Sequence, residues 1–223
     1  MANKFYITTP IYYVNASPHI GHSYTNIAAD TLARSNRVKL GKDNVWFLTG
    51  TDEHGQKIQK AADKAKLSTH EFVDKVVVQF NDLWKKLEIS NNDFIRTTEN
   101  RHIKTVQKAL QILYEKGDIY EDKYEGWYCT PCETFWPQGR GLASDSQSRW
   151  PQTQITGELC PDCKRLLEKI SEVNFFFRLS KYRDWLINYI KDTDKNPERI
   201  RYIQPSTRRN EVLGFLENNK LED

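Results

Sequence analysis

KFYITTPIYYVNASPHIGHSYTNIAADTLARSNRVKLGKDNVWFLTGT, residues 4–51, contains two runs of β-branched and aromatic residues, Lys4–Thr9 and Asn44–Thr51. Runs of that composition, bounded by turn residues such as Pro10, read as buried strands. Between them Ile27, Ala28, Thr31 and Leu32 recur at helical spacing, and Gly41 supplies a stop. Strand, loop, helix, strand is the βαβ opening of a parallel sheet, so the fold class expected is α/β. In such sheets ligands bind beyond the carboxyl ends of the strands, which is where the segment PHIGH, residues 18–22, falls.

Further along, Ser68 and Glu71 make a capping-box pattern ahead of Phe72, Val73, Val76, Val77, Phe80, Leu83, Trp84 and Leu87, an amphipathic stripe that faces a core. DFIRTT, residues 93–98, reads as a short strand. Ile103, Val106, Leu110 and Leu113 mark another helix, with Gly117 where a C-cap glycine belongs. The α/β region is placed at 1–117. From Asp118 the texture changes to short aromatic strands (IYEDKYEGWYC), paired cysteines and a polar loop over residues 139–158, so 118–223 is read as a separate small module. It closes with helices carrying Tyr182, Trp185, Leu186, Tyr189 and Ile190, with Ser180 as expected cap, and RRNEVLGFLENN.

The chain has 223 residues, 38% of them apolar and 12% aromatic, enough for one or two globular domains. No stretch approaches the roughly 20 apolar residues of a membrane span. The start, MANKFYITTP, lacks the regions of a signal peptide, so a cytoplasmic location is expected. A net charge of +3 does not by itself select a nucleic-acid partner.

All four cysteines fall into two C-x-x-C pairs, Cys129/Cys132 and Cys160/Cys163. Each pair can hold half of one tetrahedral ion with its turn, and four thiolates suit one structural zinc with no open position for a water. Two disulfides or unligated core cysteines are the alternatives, disfavoured in a reducing compartment.

His19 and His22 surround Gly21 at a strand-to-helix turn, where backbone N–H groups, the helix dipole and imidazole donors suit a phosphate chain. Out of context, an H-x-x-H is more often a satisfied surface pair or a half-made metal site than a catalytic pair.

ITTPIYYVNASPHIGHSYTNIAADTLAR, followed at the next strand by VWFLTGTDEHGQKI, closely resembles the methionyl-tRNA synthetases, a family of class I aminoacyl-tRNA synthetases. YEGWYCTPCETFW and FFFRLSKYRDWL resemble their zinc-bearing connective insert. The resemblance covers nearly the whole chain. It implies the N-terminal half of a Rossmann-type nucleotide-binding domain, followed by the insert. It also implies an ATP-dependent ligase that forms methionyl-adenylate and esterifies the 3′ end of methionine tRNA, with ATP and Mg²⁺ as substrate. By the same resemblance His19 and His22 contact the ATP phosphates and act as the catalytic pair, and Gly21 carries the adenine ring. Ile11 and Tyr13 line the methionine side-chain pocket, and Asp52 holds the ammonium group. Asp52 also reads, more plainly, as an N-cap for the helix that follows.

The chain stops at ENNKLED, where the insert of this family is finishing. The returning half-domain, its KMSKS loop and the anticodon-binding domain are therefore expected to be missing, and this polypeptide alone to be inactive. RLSK, residues 178–181, is read as structural rather than as that loop. The stretch between the cysteine pairs is longer than the family leads one to expect. The competing readings are another class I synthetase, a HIGH-bearing nucleotidylyltransferase, or a non-catalytic zinc-bearing tRNA-binding remnant.

Overall fold

The computed structural model describes residues 4–136, 159–196, 202–221 and 223; the polar loop over 139–158 lies outside the described residues. By contacts the chain divides into two compact units: Met1–Gln107 with Cys129–Thr134 and Leu159–Leu166, and Lys108–Tyr128 with Phe135–Glu158 and Leu167–Asp223. All four cysteines thus belong to the first unit.

That unit is built on a parallel sheet of β1 (Phe5–Thr8), β2 (Tyr12–Tyr13), β3 (Val45–Asp52) and β4 (Asp93–Arg96). Leu48 pairs with both Thr8 and Asp93, and Thr51 with both Tyr12 and Arg96. Because a strand has only two edges, β1 and β2 lie along one edge of β3 and β4 along the other. Thr8 to Tyr12 on one strand opposes Leu48 to Thr51 on its partner, so the first strand carries one extra residue around Pro10. Side chains alternate with period two, and this extra residue therefore reverses the parity. Phe5 and Ile7 before it, and Tyr12 and Val14 after it, therefore face the same side of the sheet, the first pair against Val45 and Phe47 and the second against Ile58 and α3.

The crossovers are α1 (Ile20–Leu40), then α2 (Gln56–Ala65) and α3 (Thr69–Lys86). α3 begins with the reciprocal Ser68–Glu71 capping box and buries Val73, Val76, Val77, Phe80 and Trp84 against Tyr12, Val14 and Ile58. The expected helix over α1 is present and ends at Gly41, whose φ of 87° suits a residue without a side chain. Its buried face is not the expected one. Ile27, Ala28, Thr31 and Leu32 are exposed, and the helix instead buries Asn26, Ala29, Asp30 and Ala33. The two alanines allow close approach to Val45 and Phe47. Of the polar pair, Asn26 donates to the Tyr12 hydroxyl (2.8 Å), and Asp30 accepts from the Ser90 backbone N–H (2.8 Å) and the Arg34 guanidinium (2.6 Å).

α4 (Asn100–Glu115) ends before Gly117, φ 70°. β5 (Ile119–Cys129), which belongs to the second unit as far as Tyr128, pairs antiparallel with β7 (Glu168–Phe177), and β6 (Thr134–Trp136) flanks β5. α5 (Arg183–Lys195) and α6 (Ser206–Asn218) pack through Ile190, Leu213 and Leu216. Ser180 caps neither: it lies in a 3-10 turn over Leu179–Tyr182, and α5 starts without a side-chain cap. Lys181 and Tyr182 instead bind the buried Asp118 carboxylate, each at 2.5 Å, and Arg178 donates to the Gly117 carbonyl (2.9 Å). RLSK therefore anchors the turn after α4. No helix among the described residues is long and apolar enough to cross a membrane.

Candidate functional site

The start of α1 is capped by two imidazoles. The Gly21 N–H donates to His19 Nδ1 (3.1 Å), and the His19 N–H donates to His22 Nδ1 (3.1 Å). The rings stack with centroids 3.8 Å apart. With Nδ1 accepting on each ring, the neutral tautomer carries its proton on Nε2, leaving an N–H donor on both. Burial, and after it the neighbouring His19, hold His22 below its ordinary pKa, and it packs against Tyr12 (4.8 Å) and Phe80 (5.2 Å) between centroids. Gly21 has a local reason to lack a side chain, since a Cβ would stand 2.9 Å from His19 Cε1. No acidic residue occupies the first turn of α1, so nothing there opposes an anion at the positive end of the helix dipole.

At the carboxyl ends of the strands Tyr13 and Asp52 are register partners. In a parallel ladder partners face the same side, and alternation puts Ile11 on that side too, opposite the core-facing Tyr12 and Val14. Asp52 accepts from the His54 N–H (3.3 Å), while the N-cap of α2 is Gly55, with no side-chain cap, so the plainer N-cap reading of Asp52 does not hold. The next residue, Glu53, is one that the sequence did not single out. It is buried and receives both arms of Arg96 (2.6 and 2.9 Å), with Thr51 at 2.7 Å and Thr98 at 2.5 Å. Arg96 also reaches Asp74 at 2.5 Å. Burial opposes ionisation of Glu53, but Arg96 and the two hydroxyls outweigh it, and the carboxyl titrates below its ordinary range. This network fixes the turn that carries Asp52.

A cavity of about 450 Å³ opens at these ends, lined by Tyr13, Asn15, Ala16, Ser17, His19, His22, Lys57 and Glu133. It brings together Tyr13, His19 and His22 from the expected set; Ile11, Gly21 and Asp52 lie outside its lining.

The cysteines form a second centre in the same unit. Their four Sγ atoms lie within 4.8 Å of one another, with Cys129–Cys163 at 3.5 Å and Cys132–Cys160 at 3.9 Å. Disulfide sulfurs would sit about 2.05 Å apart, whereas zinc bonds of about 2.3 Å place tetrahedral sulfurs about 3.8 Å apart. The donor set fits zinc. Cys132, hydrogen-bonded to the Cys163 and Cys129 thiols, is pushed up to about 12. Burial opposes ionising Cys160, yet backbone N–H groups of Cys163 and Asp162 bring it down to about 7. Each turn puts the residue after its second cysteine in the left-handed region, Glu133 at φ 52° and Lys164 at φ 60°.

The family model of the class I tRNA synthetases (M) matches residues 5–222. A Methionine--tRNA ligase of Thermotoga maritima is 49% identical, covering 96% of this chain and 31% of its own length. The Bacillus subtilis relative of the same name is 45% identical over 99% of this chain and 32% of its own. The crystal structure of Mycobacterium tuberculosis methionyl-tRNA synthetase bound by methionyl-adenylate superposes with a TM-score of 0.80 at 35% identity, over 99% of this chain and 40% of that one. The chain therefore spans less than a third of the curated relatives named here.

Proposed function

We propose, from the premise that this chain belongs to the class I tRNA synthetases (M), that it carries the ATP and methionine sites of a methionine–tRNA ligase. The observation that carries this reading is the cavity in which His19, His22 and Tyr13 meet at the carboxyl ends of parallel strands. The Mycobacterium tuberculosis relative binds methionyl-adenylate.

The methionine carboxylate attacks the α-phosphorus of Mg²⁺-bound ATP in line, the bond to the β-phosphate bridging oxygen breaks, and pyrophosphate leaves. His19 and His22 donate Nε2–H to the phosphates as charge builds on them, with the start of α1 behind. Gly21 admits the adenine ring. Asp52 pairs with the ammonium group, and Ile11 and Tyr13 line the side-chain pocket beside it. The 3′-terminal hydroxyl of methionine tRNA then attacks the adenylate carbonyl, releasing AMP. Cys129, Cys132, Cys160 and Cys163 would hold one zinc, which supplies a fold-stabilising cross-link and no chemistry. Reduced thiols suit the cytoplasm.

The test is amino-acid-dependent ATP–pyrophosphate exchange by the gene product that carries these residues. Methionine should support exchange and leucine or isoleucine should not. Exchange driven by another amino acid alone would overturn the proposal.

A further inference from the structure

The turn of the first cysteine pair contributes a residue to the cavity that nothing in the sequence singled out. Glu133 follows Cys132 directly. Its Oε1 accepts from the Tyr13 hydroxyl at 3.2 Å, and its Oε2 lies 3.2 Å from Lys57 Nζ. Lys57 Nζ in turn sits 5.9 Å from the centre of the Tyr13 ring. The Tyr13 hydroxyl is hemmed from the other side by Gly55, where an added Cβ would come within 2.3 Å of it. The phenol is thus held between a backbone without a side chain and one carboxylate.

Glu133 holds its backbone at φ 52°, as Lys164 does at φ 60° at the same place in the second cysteine turn, a conformation natural to glycine, so the carboxylate can be removed by a glycine substitution without straining the turn.

We infer that Glu133 is a positioning residue of the amino-acid pocket, through which the cysteine centre sets the placement of Tyr13 and Lys57. The inference rests on the ligase reading only in naming methionine as the occupant. Glu133 is bonded to Tyr13 and Lys57 and is not one of the groups proposed to meet the phosphates or the reacting carboxylate. Its loss should therefore loosen the ground state and the transition state alike, raising KM for methionine while leaving kcat in place. The pair is partly exposed, with Lys57 at 30% and Glu133 at 40%, so the effect is modest.

The experiment compares Glu133→Gly, Glu133→Ala, Glu133→Gln and Tyr13→Phe in the intact gene product, by methionine calorimetry, exchange kinetics, bound zinc and thermal melting. Glu133→Gly and Glu133→Ala should weaken methionine binding roughly threefold to tenfold, with kcat within about twofold of wild type. Glu133→Gln, which can still accept from Tyr13, should recover part of that loss. Zinc content should be unchanged, and Glu133→Gly should melt no lower than wild type because glycine suits the backbone. Combining Glu133→Ala with Tyr13→Phe should cost less than the two separate losses together. Methionine affinity equal to wild type in the Gly and Ala variants would overturn the inference alone. Loss of zinc or of melting temperature in Glu133→Gly would overturn it too, by making Glu133 part of the turn's own fold. A wild-type protein that neither binds methionine nor supports exchange would remove the ligase reading, and this inference with it.

Discussion

His19 and His22 cap each other: the backbone N–H of His19 donates to the ring of His22, and the rings stack at 3.8 Å between centroids. The hydrogen bonds consume Nδ1 on both rings, so the cap and the proposed phosphate donors use different nitrogens of the same side chains. The two roles can then be separated by substitution. His19→Ala should lose the cap, about 1 kcal/mol of stability, and lower exchange roughly a hundredfold. His19→Asn should recover stability, since asparagine is a good N-cap, without recovering exchange. Steady-state exchange with melting on the same preparations decides this. Full activity in His19→Asn would show that the histidine serves the helix only.

The cysteine centre should hold one zinc per chain, measurable by elemental analysis of freshly reduced protein. Structural sites of this donor type contribute on the order of 10 kcal/mol of apparent binding free energy. Chelation should therefore unfold the turns around Cys129 and Cys160 while leaving α1 and α3, which pack in a different core, helical by circular dichroism. With Cys132 near 12 and Cys160 near 7, loading must displace protons. Apparent affinity should rise with pH through neutrality. Reduced protein that binds no zinc would refute the assignment.

Glu53 and Arg96 predict an acid limb to stability. Folded Glu53 titrates below its ordinary range, so its stabilisation is present above the unfolded glutamate pKa of about 4.3. It is lost as pH falls through the lower folded value. Melting temperature should drop as pH falls from about 4.3, and Glu53→Gln should flatten that slope. Arg96→Ala should be the more damaging variant at neutral pH, by about 2–4 kcal/mol, because it strands a buried carboxylate. Parallel pH–melting curves for wild type and Glu53→Gln would contradict this.

Features fixed by near neighbours were legible in the sequence. Ser68 and Glu71, three residues apart, cap α3 as read, and Gly41 and Gly117 both adopt positive φ at helix ends. The paired cysteines announce their centre by spacing alone. What depends on partners far along the chain was not legible. The apolar pattern of α1 pointed to Ile27 and Leu32, but the buried face was decided by Tyr12 and Ser90, which hydrogen-bond Asn26 and Asp30. Glu53 gave no sign because its partner Arg96 is set opposite it only when β4 joins β3. Glu133 gave no sign because only the folded turn brings it to Tyr13.

Gly21 offers the sharpest separation of fold from function. It is the second residue of α1, where alanine is the better helix former by about 1 kcal/mol. An added Cβ would stand 2.9 Å from Cε1 and 3.1 Å from Nδ1 of His19, so the ring must swing away and its bond to the Gly21 N–H must break. Losing that cap costs about 1 kcal/mol, so the gain and loss nearly cancel. Gly21→Ala should melt within a few degrees of wild type, by the scale of about 2–4 °C per kcal/mol for chains of this size. Exchange should nevertheless fall by at least tenfold, because His19 no longer stands where the phosphates lie and the adenine ring meets a methyl group. The measurement is exchange kinetics beside a melting curve, with ATP affinity read separately by calorimetry. A Gly21→Ala protein that melts normally and exchanges at the wild-type rate would mean that neither His19 nor the bare backbone at Gly21 faces the nucleotide.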